Sequence, residues 1–159
     1  MATTWTLGQL VDEHLHGREW ATHIPSAARN LSITVADRKA AWELYVELLT
    51  RIATQALDDE EGVEVTALES IAGLFPTARQ VMRSNGREAA AFAALALALF
   101  NHRVRAFTAP WHKRSVEGRL ADPAIAGRFR EELRALQGDF RATAEVLARM
   151  AQVQPLGDH

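Results

Sequence analysis

The sequence predicts an all-α fold: an up-down bundle of four main helices with a short N-terminal helix laid against it. Three observations carry that prediction. Apolar side chains recur at intervals of three and four residues through most of the chain. Capping residues punctuate those stretches, with Asp37 and the Asp122–Pro123 pair at starts and Gly86 at a stop. The stretch Leu31 to Val35 alternates, but a single five-residue strand has no second strand to pair with and is expected to be an extended loop. With 159 residues, 48% of them hydrophobic and 24% charged, the chain can bury its core as one domain spanning 1–159.

The elements follow in order. Leu7, Leu10, Val11 and Leu15 mark the first helix, and Gly17 is its stop. Residues 18–36 read as largely irregular, with Trp20 and Ile24 tucked into the core. Asp37 is the expected N-cap of the second helix, because its carboxylate can accept from free first-turn amides. Trp42, Tyr45, Leu49, Ile52 and Ala56 form its apolar stripe, while Lys39, Glu43, Glu47 and Arg51 lie opposite. That helix should end before the acidic loop Asp58 to Gly62.

A third helix runs from Glu64 to Asn85, with Gly86 as a left-handed cap and, at Pro76, either a kink or two short helices abutting. The fourth, Arg87 to Ala106, is apolar nearly all round from Ala89 to Phe100 and reads as the central helix. Residues 107–121 are expected to form an ordered connection with one helical turn. The fifth helix starts most clearly, with Asp122 as N-cap and Pro123 at the first position, and Pro155 to His159 should fray beyond it.

Several chemistries lack their residues. There is no cysteine, hence no disulfide or thiolate nucleophile, which fits a reducing cytoplasm. No apolar leader opens the chain, and the longest apolar run, Ala89 to Phe100, has 12 residues where a membrane span needs about 20. Neither a glycine-rich phosphate loop nor a G-x-S-x-G elbow occurs, so no cofactor is expected. His14 and His16 point apart on a helix, and Glu19 and His23 lie beyond the Gly17 stop, so these read as surface residues and not as metal ligands.

Charge is unevenly spread. Six acids and no base fall between Leu57 and Glu69, whereas eight bases and two acids fall between Arg79 and Arg119. The two segments either guide a partner or neutralise each other within the fold. Arg79, Arg83 and Arg87 fall at four-residue intervals, but Gly86 separates the last from its helix, which disfavours a nucleic-acid stripe.

The most distinctive segment is Arg103 to Arg114, which packs four basic residues, two aromatics, a proline and a histidine into 12 positions. Structurally, Phe107 and Trp111 can cap the bundle end while Arg105 or His112 serves carbonyls at the end of the fourth helix. As a partner surface, Arg103, Arg105, Phe107, Trp111, His112, Lys113 and Arg114 would supply the aromatic and cationic anchors typical of binding hot spots. The partner is then another protein, or a second copy docking through an apolar face of the second or fifth helix.

Arg105 and His112, with six residues between them, also resemble the loose Arg-x(4–6)-His pattern of HEPN ribonucleases, which are helical bundles. That resemblance implies His112 as general base toward a ribose hydroxyl and Arg105 as stabiliser of the phosphorane, without metal. Two departures weaken it: Ala106 replaces a polar residue, and Pro110 stands where that family continues into helix.

Arg105, Phe107, Trp111 and His112, taken with Glu47 to Gln55, also resemble a group of small bacterial helical proteins whose loop carries Arg-Pro-Phe and then Trp-His. Here Ala106 takes the proline position, and the likeness covers Leu44 to His112. It implies a non-enzymatic, partner-binding accessory of bacterial conflict or phage-defence loci.

Overall fold

The computed structural model describes residues 5–51, 64–154 and 156. These are almost entirely helical. Helix α1 is Leu7–His14, α2 Ser26–Arg29, α3 Val35–Leu49, α4 Glu64–Ala72 and α5 Leu74–Asn85. Helix α6 is Ala90–Leu99, α7 Arg105–Val116 and α8 Pro123–Ala151. Among the described residues the sole β-type pairing is one bridge between Thr6 and Ser32. It is flanked by Leu7 N–H donating to Leu31 and Ile33 N–H donating to Trp5. Residues 31–34 are thus extended chain, but they do have a pairing partner, the residues that lead into α1, and Val35 already belongs to α3.

Each start has a local cause. Thr6 caps α1 in a reciprocal box with Gln9. At α3 the expectation needs correction: Thr34 is the N-cap, and Asp37 is the third helical residue. Asp37 Oδ2 accepts from the Thr34 amide at 2.9 Å, closing the capping box. Its Oδ1 accepts from the Phe92 amide at 2.9 Å, in the first turn of α6, where amides lack intrahelical acceptors. One buried carboxylate therefore joins two helix starts.

Of the two forms expected for the third helix, the chain takes the second, two abutting helices. The break falls at Gly73, not at Pro76, which takes the third position of α5. In a first turn the missing N–H leaves no bond unmade, so proline begins α5 without kinking it. Gly73 is required by its neighbours: a Cβ there would lie 3.2 Å from Arg51 Nη1 and 3.3 Å from the Glu69 carbonyl. Gly86 ends α5 with φ +73°, as its position predicts.

The predicted fourth helix is longer and less regular than its periodicity suggests. After α6 the chain makes a wide π-type turn, Phe100–Val104, and continues as α7 through Val116. Residues 105–116 are helix, not connecting loop. Pro110 sits on the exposed side of α7, as does Ala106, whose carbonyl loses its usual donor. Proline is tolerated because that carbonyl is not trapped in the core.

Helix α8 starts as predicted, with Asp122 accepting from Ala124 N–H at 2.9 Å and Pro123 at the first position. It packs against α3, with α1, α4 and α7 also lying on it. The core face of α3 is Ala40, Ala41, Leu44, Tyr45 and Leu48. Trp42, placed in the predicted stripe, is 41% exposed, because the buried face is turned one position from the one the bulkiest residues suggest. Ile52 and Ala56, and the acidic loop after them, lie outside the described residues.

An ionic cluster in the core is centred on Asp139 of α8. Its Oδ1 accepts from Arg18 Nη1 at 2.7 Å and from Trp20 Nε1 at 2.9 Å, and its Oδ2 from Arg103 Nε at 2.6 Å. Burial alone raises its pKa, but the hydrogen bonds from Trp20, Arg103 and Arg18, with the Arg103 charge, outweigh burial and hold it below the usual carboxylate value.

Replacing Asp37 with Ala should cost about 2–3 kcal/mol in denaturant unfolding, because it removes a cap and orphans the Phe92 amide. Asp139 gives a pH signature. A lowered folded pKa means its stabilisation is complete above the ordinary carboxylate range and is lost as pH falls through the folded value. Asp139→Asn should lower stability at neutral pH by about 2–3 kcal/mol, less than the ~3–5 kcal/mol of a fully buried pair because both arginines keep some solvent contact. The same variant should flatten the decline in melting temperature below about pH 5.

Candidate functional site

The segment Arg103 to Arg114 is divided among three surfaces by its helical path. Arg103, in the π-type turn, is spent on Asp139. Phe107 and Trp111 point into the core, 4% and 2% exposed. Trp111 meets Phe129 of α8 edge-on at 5.2 Å, and Phe107 lies 5.5 Å from the same ring. Arg114 stacks on Trp111, its guanidinium 4.5 Å from the ring centroid. As partner-binding anchors, Phe107 and Trp111 are therefore corrected: α7 uses them to dock on α8, and no incoming surface can reach them. Arg103 is likewise committed within the fold. Lys113 is exposed on the outer side.

What remains accessible is one face of α7. Arg105, Thr108, Ala109, His112, Ser115 and Val116 follow helical spacing and line a single groove of about 730 Å³. The facing wall comes from α4, where Val65, Leu68, Glu69 and Ala72 repeat the same spacing over two turns. Phe75 and Arg79 of α5 close one end. The floor and walls are mostly apolar or small, with Ala72 and Ala109 allowing close approach of another backbone.

The groove's cations are unspent. Arg105 lies over the Phe75 ring at 5.1 Å, a contact that steadies the guanidinium without neutralising it. Among the described residues, neither Arg79, Arg105 nor His112 makes an ion pair, and Glu69 is the one acid on the groove. Elsewhere arginines are paired, as Arg130 is with Glu64 at 2.8 Å and Arg149 with Glu13 at 2.7 Å. Of the acid-rich segment, Glu64 turns to α8 and Glu69 to the groove; Asp58 to Glu61 lie outside the described residues.

Val116, 76% exposed, and Val65, 38% exposed, leave the other end of the groove greasy and open. Residue reading missed the importance of Val65, Phe75, Arg79 and Val116. Phe75 looked like core, and the valines have no chemical signature outside their tertiary setting.

The remaining predicted residues stay apart from this groove. Glu19 and His23 fall in a short 3₁₀ helix, where they approach to 3.4 Å, and His23 stacks on His102 of the π-type turn at 3.7 Å. Among the described residues there is no group of three side chains placed to hold a metal ion. No helix among them is long and apolar enough to cross a membrane.

Compared with protein-family models, with curated proteins and with solved structures, the chain matches none. The chemistry of the groove therefore rests on its own geometry. Trp111→Ala should cost about 3–5 kcal/mol of unfolding free energy, the signature of a buried aromatic. A variant that left the melting transition in place while abolishing partner binding would restore Trp111 as a contact residue.

Proposed function

We propose that this chain is a helical protein-interaction module that acts by binding, and that its partner surface is the groove between α4/α5 and α7. One observation supports the reading above others: an apolar trough bordered by cations that make no ion pair among the described residues. Exposed apolar side chains bordered by arginines have the composition of a protein-binding surface, in which arginine is a frequent anchor. Of the residues expected at a partner surface, Arg105 and His112 fit this role. The likeness to small helical proteins of defence loci makes products of neighbouring genes the first partners to try.

The ribonuclease alternative has one observation in its favour: Arg105 and His112 face the same groove. Against it, they stand seven residues apart on a continuous helix, about 10 Å along the axis, a long separation for two groups that must meet one phosphodiester.

A photoreactive side chain at position 109 should yield a discrete protein adduct in the native host, lost when Val116→Arg is added. Labelled RNA incubated with the wild type should remain intact. Metal-free cleavage that disappears in His112→Ala would replace the binding reading with the catalytic one.

A further inference from the structure

The groove has a direction, and its direction specifies what fits it. Arg105 begins α7 and touches Phe75, which belongs to the helix after α4. Since α4 also packs on α7, it must run back along α7, carrying Val65 toward the Val116 end. Arg79 lies one turn beyond Phe75. The cations Arg79 and Arg105 therefore share one end of the trough, His112 stands two turns along, and the two valines occupy the other end. From Arg105 to Val116 the trough is about 16 Å long, the length of three helical turns.

Two helix faces that present small residues at helical spacing form a seat for a third helix, because ridges of one helix fill the grooves between side chains of its neighbours. We infer that the partner segment is an amphipathic helix of about three turns, its apolar face along Val65, Ala109 and Val116 and its carboxylates gathered at the Arg79–Arg105 end. This rests on the groove being the partner surface. Charge complementarity selects acidic residues at that end: two guanidiniums, free of ion pairs among the described residues, await bidentate acceptors, and Phe75 keeps one of them in place. A docking helix whose C-terminus lies there gains further, since the negative end of its dipole meets the same cations.

The test uses the full chain with isotope labels and two synthetic helical peptides of about 12 residues. One has leucines on a single face and glutamates at its C-terminal end; the other has lysines in place of the glutamates. Backbone amide signals of Ala72, Thr108, Ala109 and Ser115 report occupancy. The glutamate peptide should bind at least about tenfold more tightly than the lysine peptide. Charge reversal at Arg79→Glu with Arg105→Glu should reverse that order, and Val116→Arg should weaken both peptides. Both arginines are exposed, so an unchanged dichroism spectrum certifies the double variant.

Equal binding of the two peptides, still sensitive to Val116→Arg, would overturn the carboxylate assignment while leaving the groove as partner surface. Concentration-dependent shifts without any peptide, abolished by Val116→Arg, would make a second copy the occupant and overturn it as well. Groove signals that move with neither peptide and with no rise in concentration would remove the partner surface itself.

Discussion

The rotation of α7 about its own axis decides which of its side chains are hidden and which are offered. That rotation is set on α8. The Phe129 ring receives Phe107 and Trp111 from one side of α7, and Asp139, ten residues further along α8, holds Arg103 just before α7 begins. Aromatic packing supplies most of the energy, since a buried tryptophan and phenylalanine remove large apolar areas from water. The carboxylate supplies registry: an off-register α7 would leave Asp139 buried without one of its charged donors. With those contacts made, Arg105, Thr108, His112 and Val116 have nowhere to face but the groove.

Asp139 also reaches beyond α7. By accepting from Arg18 and Trp20 it fixes the irregular segment after α1, so three separate stretches of chain converge on one side chain. Asp37 does comparable work at the opposite kind of site, joining the first turns of α3 and α6. In both cases a buried carboxylate accepts a hydrogen bond from a donor far along the sequence, which limits how the helices can slide. The arginine-rich composition thus has two destinations. Arg18, Arg103, Arg130 and Arg149 are consumed by ion pairs, whereas Arg79 and Arg105 line an apolar trough and make none among the described residues.

Some of this was legible from residue order. The starts and stops governed by local chemistry appear where expected: Asp122–Pro123 opens α8, Gly86 closes α5, and Trp20 and Ile24 are buried. Where the reading slipped, a non-local partner or a change of helical phase was responsible. Asp37 has the look of an N-cap, yet Thr34 takes that place because Asp37 is needed by Phe92, which lies 55 residues away. Pro76 looks like a kink and becomes an ordinary first-turn residue because the helix breaks three residues earlier, at Gly73, which is packed against Arg51. Pro110 and the polar residues around it suggest a loop, but the π-type turn before it rotates Phe107 and Trp111 onto α8, and burial of two aromatics outweighs one lost backbone bond.

The sequence by itself determined the all-α class, the helix caps and the concentration of unusual chemistry between Arg103 and Arg114, because hydrophobic periodicity and capping act over a few residues. Only the tertiary structure decided which part of that segment is available. Burial depends on what lies opposite, and the opposing residues here, Phe129, Asp139, Phe75 and Val65, come from distant helices. A face becomes a groove when two helices stand side by side with nothing between them, and no local rule of spacing encodes that vacancy.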